Sequence, residues 1–290
     1  VTTTGRLRVL GSRDVDGALD VEDVDTLLTR LRPGAARTDP LLVVAPAAQA
    51  ERARRTLSLA RAGAPGATGV VHASTLPPLA RAALLEAVSE LPSSFSAGQL
   101  LVACEAIERA TIAGAVLGSL TRLAQPAPRM AQHLASWWPP NRFIVLTHPH
   151  PQIVRGATGL EQLHLPPTGA PLAFRSTTSD VASHVVVEQL AVRLTGRGTS
   201  VVEAPEESRE RWGTVRFSEF CAVPLDVSGI VHDALAAATP CRSCGAPVVW
   251  PSCRFCHSRG GPSDAEAAEA AESAESAAPL AFDPTARGER

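Results

Sequence analysis

Four cysteines carry the clearest chemistry in the chain. Cys241 and Cys244 form one CxxC pair, Cys253 and Cys256 form a second, and eight residues separate the two. A tight CxxC turn aims both sulfurs at one point, and two such turns close a tetrahedral shell around one Zn²⁺. Four thiolates leave no open coordination position, so the expected metal is structural and activates no water. A redox dithiol is the competing chemistry. It fits less well, because two pairs lie this close together and the first is followed by Gly245 and the strand-like Val248-Val249-Trp250.

A second set of candidates lies outside the cysteines. The apolar run Phe143-Ile144-Val145-Leu146 empties into His148-Pro149-His150-Pro151. Open α/β sheets bind ligands beyond the carboxyl ends of their strands, which makes His148 and His150 candidate ligand contacts. An extended, proline-fixed surface loop accounts for them equally simply. Glu105 and Glu108 stand three apart on a helix, facing either a cavity or solvent. Arg242 and Arg254 occupy matching positions inside the two CxxC turns, beside Trp250 and Phe255. That set suits a phosphate backbone with stacked bases, while the plainer role of the two aromatics is to cover the metal. No GxSxG, HExxH or GxGxxG occurs, and a chain without lysine has no P-loop.

The stretch from Pro240 to His257 resembles a zinc ribbon, with Gly245 suited to the turn after the second cysteine. The resemblance covers about twenty residues and implies a structural staple or docking surface, in some cases one that touches nucleic acid.

The elements around these residues alternate. Strand signals at Leu7–Leu10, Leu41–Ala45 and Val70–His72 alternate with helix signals at Val21–Leu31, Ala47–Ala62 and Leu79–Leu91. Such alternation implies βαβ crossovers and a sheet that is mixed or mostly parallel, Rossmann-like in a loose sense. From Arg109 to Arg122 nearly every residue is apolar or small, with Ala110, Gly114 and Gly118 at four-residue spacing. This predicts a helix buried on all sides, followed by another over Arg129–Trp138. Strand character returns at Arg142–Thr147, Leu172–Arg175, Ser200–Val202 and Val215–Val223, and a helix capped by Asp226 ends at Thr239-Pro240, directly before Cys241. The expected organisation is an α/β body over residues 1–238, with a sub-boundary near 92–97 and a helical central segment. A metal module follows at 239–262, then a disordered Ala/Glu-rich tail at 263–290.

Composition narrows the function less than the fold. The formal net charge is −2, and all 27 cationic side chains are arginine. Residues 263–290 hold seven acids and two arginines, so the rest of the chain is only mildly basic and aromatic residues make up 4%. Both facts argue against a dedicated nucleic-acid binder. No apolar run is long enough to span a bilayer, the first residues lack the apolar core of a secretory signal, and the cysteine usage fits a reducing cytoplasm. The expectation is a non-enzymatic intracellular protein whose α/β scaffold presents the zinc module to a protein partner, with nucleic-acid contact left open. The alternative is an α/β enzyme of unstated reaction near His148 and His150.

Overall fold

The structure, a computed structural model, describes residues 8–10, 40–64, 68–130, 132, 142–166, 171–177, 181–195, 200–249, 252, 253, 256 and 258. Its amino-terminal part is a three-stranded parallel sheet, β1 (Arg8–Leu10), β2 (Leu41–Pro46) and β3 (Gly69–Ser74), in that spatial order. Strand β2 reads as an unbroken apolar run because both of its faces are covered. Leu41, Val43 and Ala45 pack under α1 (Ala50–Ala62) through Ala53, Leu57 and Ala60. Leu42, Val44 and Val70 point the other way, into a layer formed by α2 (Pro78–Ser89) and α3 (Ala97–Ala110).

That helical layer is shared. Its far side rests on a six-stranded sheet made of β4 (Ile112–Leu117), β5 (Phe143–His148), β6 (Gln152–Arg155), β7 (Leu172–Thr177), β8 (Ser200–Val202) and β9 (Phe217–Pro224). The order is β6-β5-β4-β9-β7-β8, antiparallel except for the β7–β8 pair. Ala113, Cys221 and Val223 meet the helical layer, whereas Ile112, Val116, Ile144, Phe220 and Ala222 face α4 (Val181–Thr195). The mixed α/β architecture expected from the sequence is thus present, its parallel pairs being those of the three-stranded sheet and β7–β8.

Local signals explain most boundaries. Ser96 and Gln99 form a reciprocal capping box at the start of α3, with Ser96 N donating to Gln99 Oε1 at 2.8 Å. Pro78 opens α2. Asp226 caps α6 (Val227–Ala236) by accepting from Gly229 N at 2.8 Å, and α5 (Glu206–Trp212) ends on Gly213 at φ 62°.

One expectation fails. The small-residue stretch after Arg109 is not a helix: α3 stops at Ala110 and β4 begins at Ile112. Thr111 is the turning point, its N–H bonded to Glu108 O at 3.0 Å. A stretch that is apolar on every face fits a strand buried on both sides as well as a wrapped helix, and here cross-strand packing decides. Gly114 has a specific use, because a Cβ there would sit 2.1 Å from Val145 O. The expected helix at Val21–Leu31, most of that at Arg129–Trp138 and the tail at 263–290 lie outside the described residues. Among the described residues, no helix is long and apolar enough to cross a membrane.

Candidate functional site

Two clusters of chemically capable side chains stand out, one in the layer between the sheets and one at the carboxyl end of α6. The first is centred on Glu108, near the end of α3. Side chains alternate along a strand, so His72, two residues after Val70, shares its face and points from β3 into the helical layer. Its Nε2 lies 2.7 Å from Glu108 Oε2. The loop leaving β3 adds two donors, Thr75 N at 2.9 Å and Thr75 Oγ1 at 2.8 Å, both to Glu108 Oε1.

The other sheet supplies His148. The register of β4 against β5 shifts between Ala113 and Gly114: Gly114 pairs with Leu146 and Ala113 with His148, so Thr147 is the extra residue of a bulge. Directly opposed residues of an antiparallel pair point to the same face. Ala113 faces α3, and the bulge therefore turns His148 toward Glu108. His148 Nε2 is buried with no hydrogen-bond partner.

The electrostatics follow from this geometry. Burial pushes the Glu108 carboxyl up, but the His72 ring and the Thr75 donors outweigh it and hold the group at about 2. Burial draws His148 below the ordinary histidine range, against the pull of Glu108. The layer also buries two thiols, Cys104 and Cys221, which are raised by desolvation, Cys221 to about 12. They pack as small apolar groups and are poor nucleophiles.

A neighbouring acid fixes the loop that carries Thr75. Glu219, wholly buried on β9, accepts from Leu79 N at 2.8 Å and so caps α2 from another element. Burial raises its carboxyl, while Ser208, Leu79 N–H, Trp212 and Arg81 act in the opposite sense. Arg81 pairs with Glu207 and reaches Leu76 O. The segment Thr75–Leu79 is thereby tied to α3, α5 and β9 at once.

The second cluster is the cysteine set. The four sulfurs lie within 4.8 Å of one another. Cys241 and Cys256 are 3.5 Å apart, and Cys244 and Cys253 are 3.7 Å apart. A tetrahedral shell with metal–sulfur bonds of about 2.3 Å has sulfur–sulfur edges of about 3.8 Å, so the set is compact enough to hold a metal ion. The turn at Gly245 has φ 72°, as its position after the second cysteine implies. Two short strands, β10 (Thr239–Pro240) and β11 (Pro247–Val248), pair antiparallel and hold the first knuckle. Ser258 Oγ lies 3.2 Å from Cys241 Sγ and 2.9 Å from Cys256 Sγ. That hydroxyl, with the N–H groups of Cys244 and Ser243, holds the Cys241 thiol at about 6.

Of the residues singled out in the sequence, Glu108 and His148 join one cluster, Glu105 faces the cleft beside Pro247–Val249, His150 is exposed on the turn beyond His148 and Arg242 is exposed in the first knuckle. Arg254, Trp250 and Phe255 lie outside the described residues. His72, Thr75 and Glu219 went unnoticed. A signal existed for Glu108, which continues the buried stripe Leu100–Cys104 at four-residue spacing.

No family model and no curated protein matches this chain. Solved structures do. A DegV family protein from Corynebacterium glutamicum is 13% identical with a TM-score of 0.55, covering 76% of this chain and 97% of that one. A DegV family protein from Eubacterium eligens loaded with heptadecanoic acid is 18% identical with a TM-score of 0.52, covering 69% and 77%. A stearic acid-binding protein from Eubacterium ventriosum is 12% identical with a TM-score of 0.52, covering 70% and 76%. At these identities the likeness is one of fold. It corrects the functional expectation drawn from the cysteines. The body is not a plain scaffold displaying a zinc-ribbon adaptor, and of the two histidines of the alternative reading His148 turns inward while His150 is exposed. The two-sheet body with its shared helical layer has the fold of the DegV proteins.

Proposed function

We propose that the body binds a long-chain fatty acid or a closely related acyl chain. The observation that carries this reading is the shared fold, since two of the matching structures are fatty-acid-binding or fatty-acid-loaded proteins. The layer between the sheets supports it. Its helices present Ala80, Ala83, Ala97 and Ala103 among leucines, and its polar end is the Glu108 cluster. An apolar wall ending in a few fixed polar groups is what an acyl chain with a small head group requires. His148, with its buried and unpartnered Nε2, is the head-group contact in this reading, and His150 is exposed two residues beyond it. Arg242, exposed in the first knuckle, remains a candidate contact for the protein that gives or receives the acyl chain.

Protein purified without detergent is expected to release a saturable acyl chain on lipid extraction and, once stripped, to bind a fluorescent fatty acid. His148→Ala should weaken that binding by roughly five- to tenfold, the worth of one hydrogen bond. Stripped, folded protein that shows no saturable binding would sink the proposal.

The cysteine cluster is a separate matter. We infer that it holds one structural Zn²⁺ in a ribbon-type module over residues 239–262, because its donor set is four sulfurs and the apolar cluster among its described residues, Cys241, Val248, Cys253 and Ala246, is itself built on two of them. Metal analysis is expected to find about one equivalent per chain, lost in Cys253→Ser. Full folding of residues 239–258 in metal-free protein would count against it.

A further inference from the structure

The metal module does not hang free. Strand β11 lies over the first turns of α3, and together they line a narrow cleft between Gly98, Leu101, Val102 and Glu105 on one side and Pro247–Val249 on the other. Contact is closest at Gly98, where a Cβ would lie 2.9 Å from both Ala246 Cβ and Pro247 Cδ. Leu101 and Val102 are each only 4% exposed beneath this cover. Among the described residues the cover is held by two strands of two residues and by a core that includes two of the four cysteines themselves, so opening the sulfur shell removes part of what holds it folded.

The shell is open to attack from one side. Cys241 and Cys253 are buried, whereas Cys244 and Cys256 are exposed. Each exposed sulfur has a buried one close by, Cys256 at 3.5 Å from Cys241 and Cys244 at 3.7 Å from Cys253. We propose that the cysteine module is a redox-released cover over the amino-terminal half of α3, opened when a hydroperoxide oxidises Cys256 and Cys241 closes a disulfide onto it. This rests on the structural-metal reading above.

The chemistry balances. The Cys256 thiolate attacks the distal oxygen of a hydroperoxide ROOH and becomes a sulfenic acid. The O–O bond breaks, and the alkoxide takes a proton to leave as ROH. Cys241 then attacks the Cys256 sulfur, the S–S bond forms and hydroxide departs. Two electrons leave the pair of sulfurs and reduce the peroxide, and the metal loses two of its four ligands.

The test uses the metal-loaded full chain. Stoichiometric hydrogen peroxide should release the metal to a colorimetric chelator, and peptide mapping should find the Cys241–Cys256 disulfide. Amide exchange across residues 97–105 should quicken by about tenfold or more, as expected for a shift from covered to locally open helix. Residues 227–236 of α6 should keep their protection, and a thiol reductant with fresh metal should reverse every change. Gly98→Val gives an independent arm. It should raise exchange over the same residues with the metal and all four thiols intact, because it pushes the cover away without touching the shell. Metal retained through oxidation, or metal released with 97–105 still protected, overturns the proposal. Protein that carries no metal as purified overturns the metal reading itself, and this proposal with it.

Discussion

Glu108→Ala should lower stability by roughly 3–5 kcal/mol at neutral pH, the cost of leaving several buried polar groups without their partner. It strips the partner from His72 Nε2 and from both Thr75 donors at once. Glu108→Gln keeps an acceptor for Thr75 and should cost roughly 1–2 kcal/mol. The pH dependence carries a definite sign. A carboxyl held at about 2, below its ordinary 4.5, stabilises the fold fully above the ordinary value, and that stabilisation is lost as pH falls toward the folded one. The shift corresponds to about 3 kcal/mol. Urea unfolding should therefore show a gap between wild type and Glu108→Ala above the ordinary carboxylate value, and the gap should narrow as pH falls from about 4.5 toward about 2. A gap that stays constant down to the acid limit would mean that the carboxylate is not held as the geometry implies.

Gly114→Ala should be the most damaging of the conservative substitutions. Its Cβ would fall 2.1 Å from a main-chain carbonyl of the neighbouring strand and 3.0 Å from Phe220 Cζ. Main chain in the middle of a six-stranded sheet has nowhere to move, so a loss of roughly 3–5 kcal/mol is expected, near the top of the range for single substitutions. Gly118→Ala is the control. There the nearest atom is Arg216 Cβ at 3.2 Å, at the rim of the sheet, and less than about 1 kcal/mol should be lost. The comparison separates two glycines that helical spacing puts on one stripe. Equal effects of the two substitutions in thermal and urea unfolding would contradict the bulge at Ala113 and Gly114.

Those glycines also show what the sequence discloses. Helices with one clear period, such as the one ending at Ala62 and the Asp226-capped helix, are legible because local pattern and tertiary packing agree there, and Leu41–Ala45 is legible as a short apolar run bounded by Pro40 and Pro46. The stretch Ile112–Leu117 was not, since a strand covered on both faces has no period of its own. The cysteine cluster is legible because all four residues fall within sixteen positions and at a spacing that suits a shared metal ion. The Glu108 cluster gathers residues from positions 72, 75, 108 and 148, and nothing in the local pattern of any one of them points to the others. What joins them is strand alternation in one sheet, a bulge in another and a helix between. The acyl-binding reading was out of reach for the same reason, because it rests on the arrangement of two sheets about a shared layer.

Strand β9 has a consequence for synthesis on the ribosome. It lies between β4 and β7, although it is the last strand of its sheet to be made. Until residue 224 has emerged, β4 and β7 each present an unpaired edge, and α2 waits for Glu219, 140 positions downstream of the Leu79 N–H that it accepts. Such long-range closure is slow, and the waiting edges are open to pairing with other chains. A nascent chain halted before β9 should therefore be sticky, and dependence on chaperones is expected to end abruptly once that one strand is free to insert.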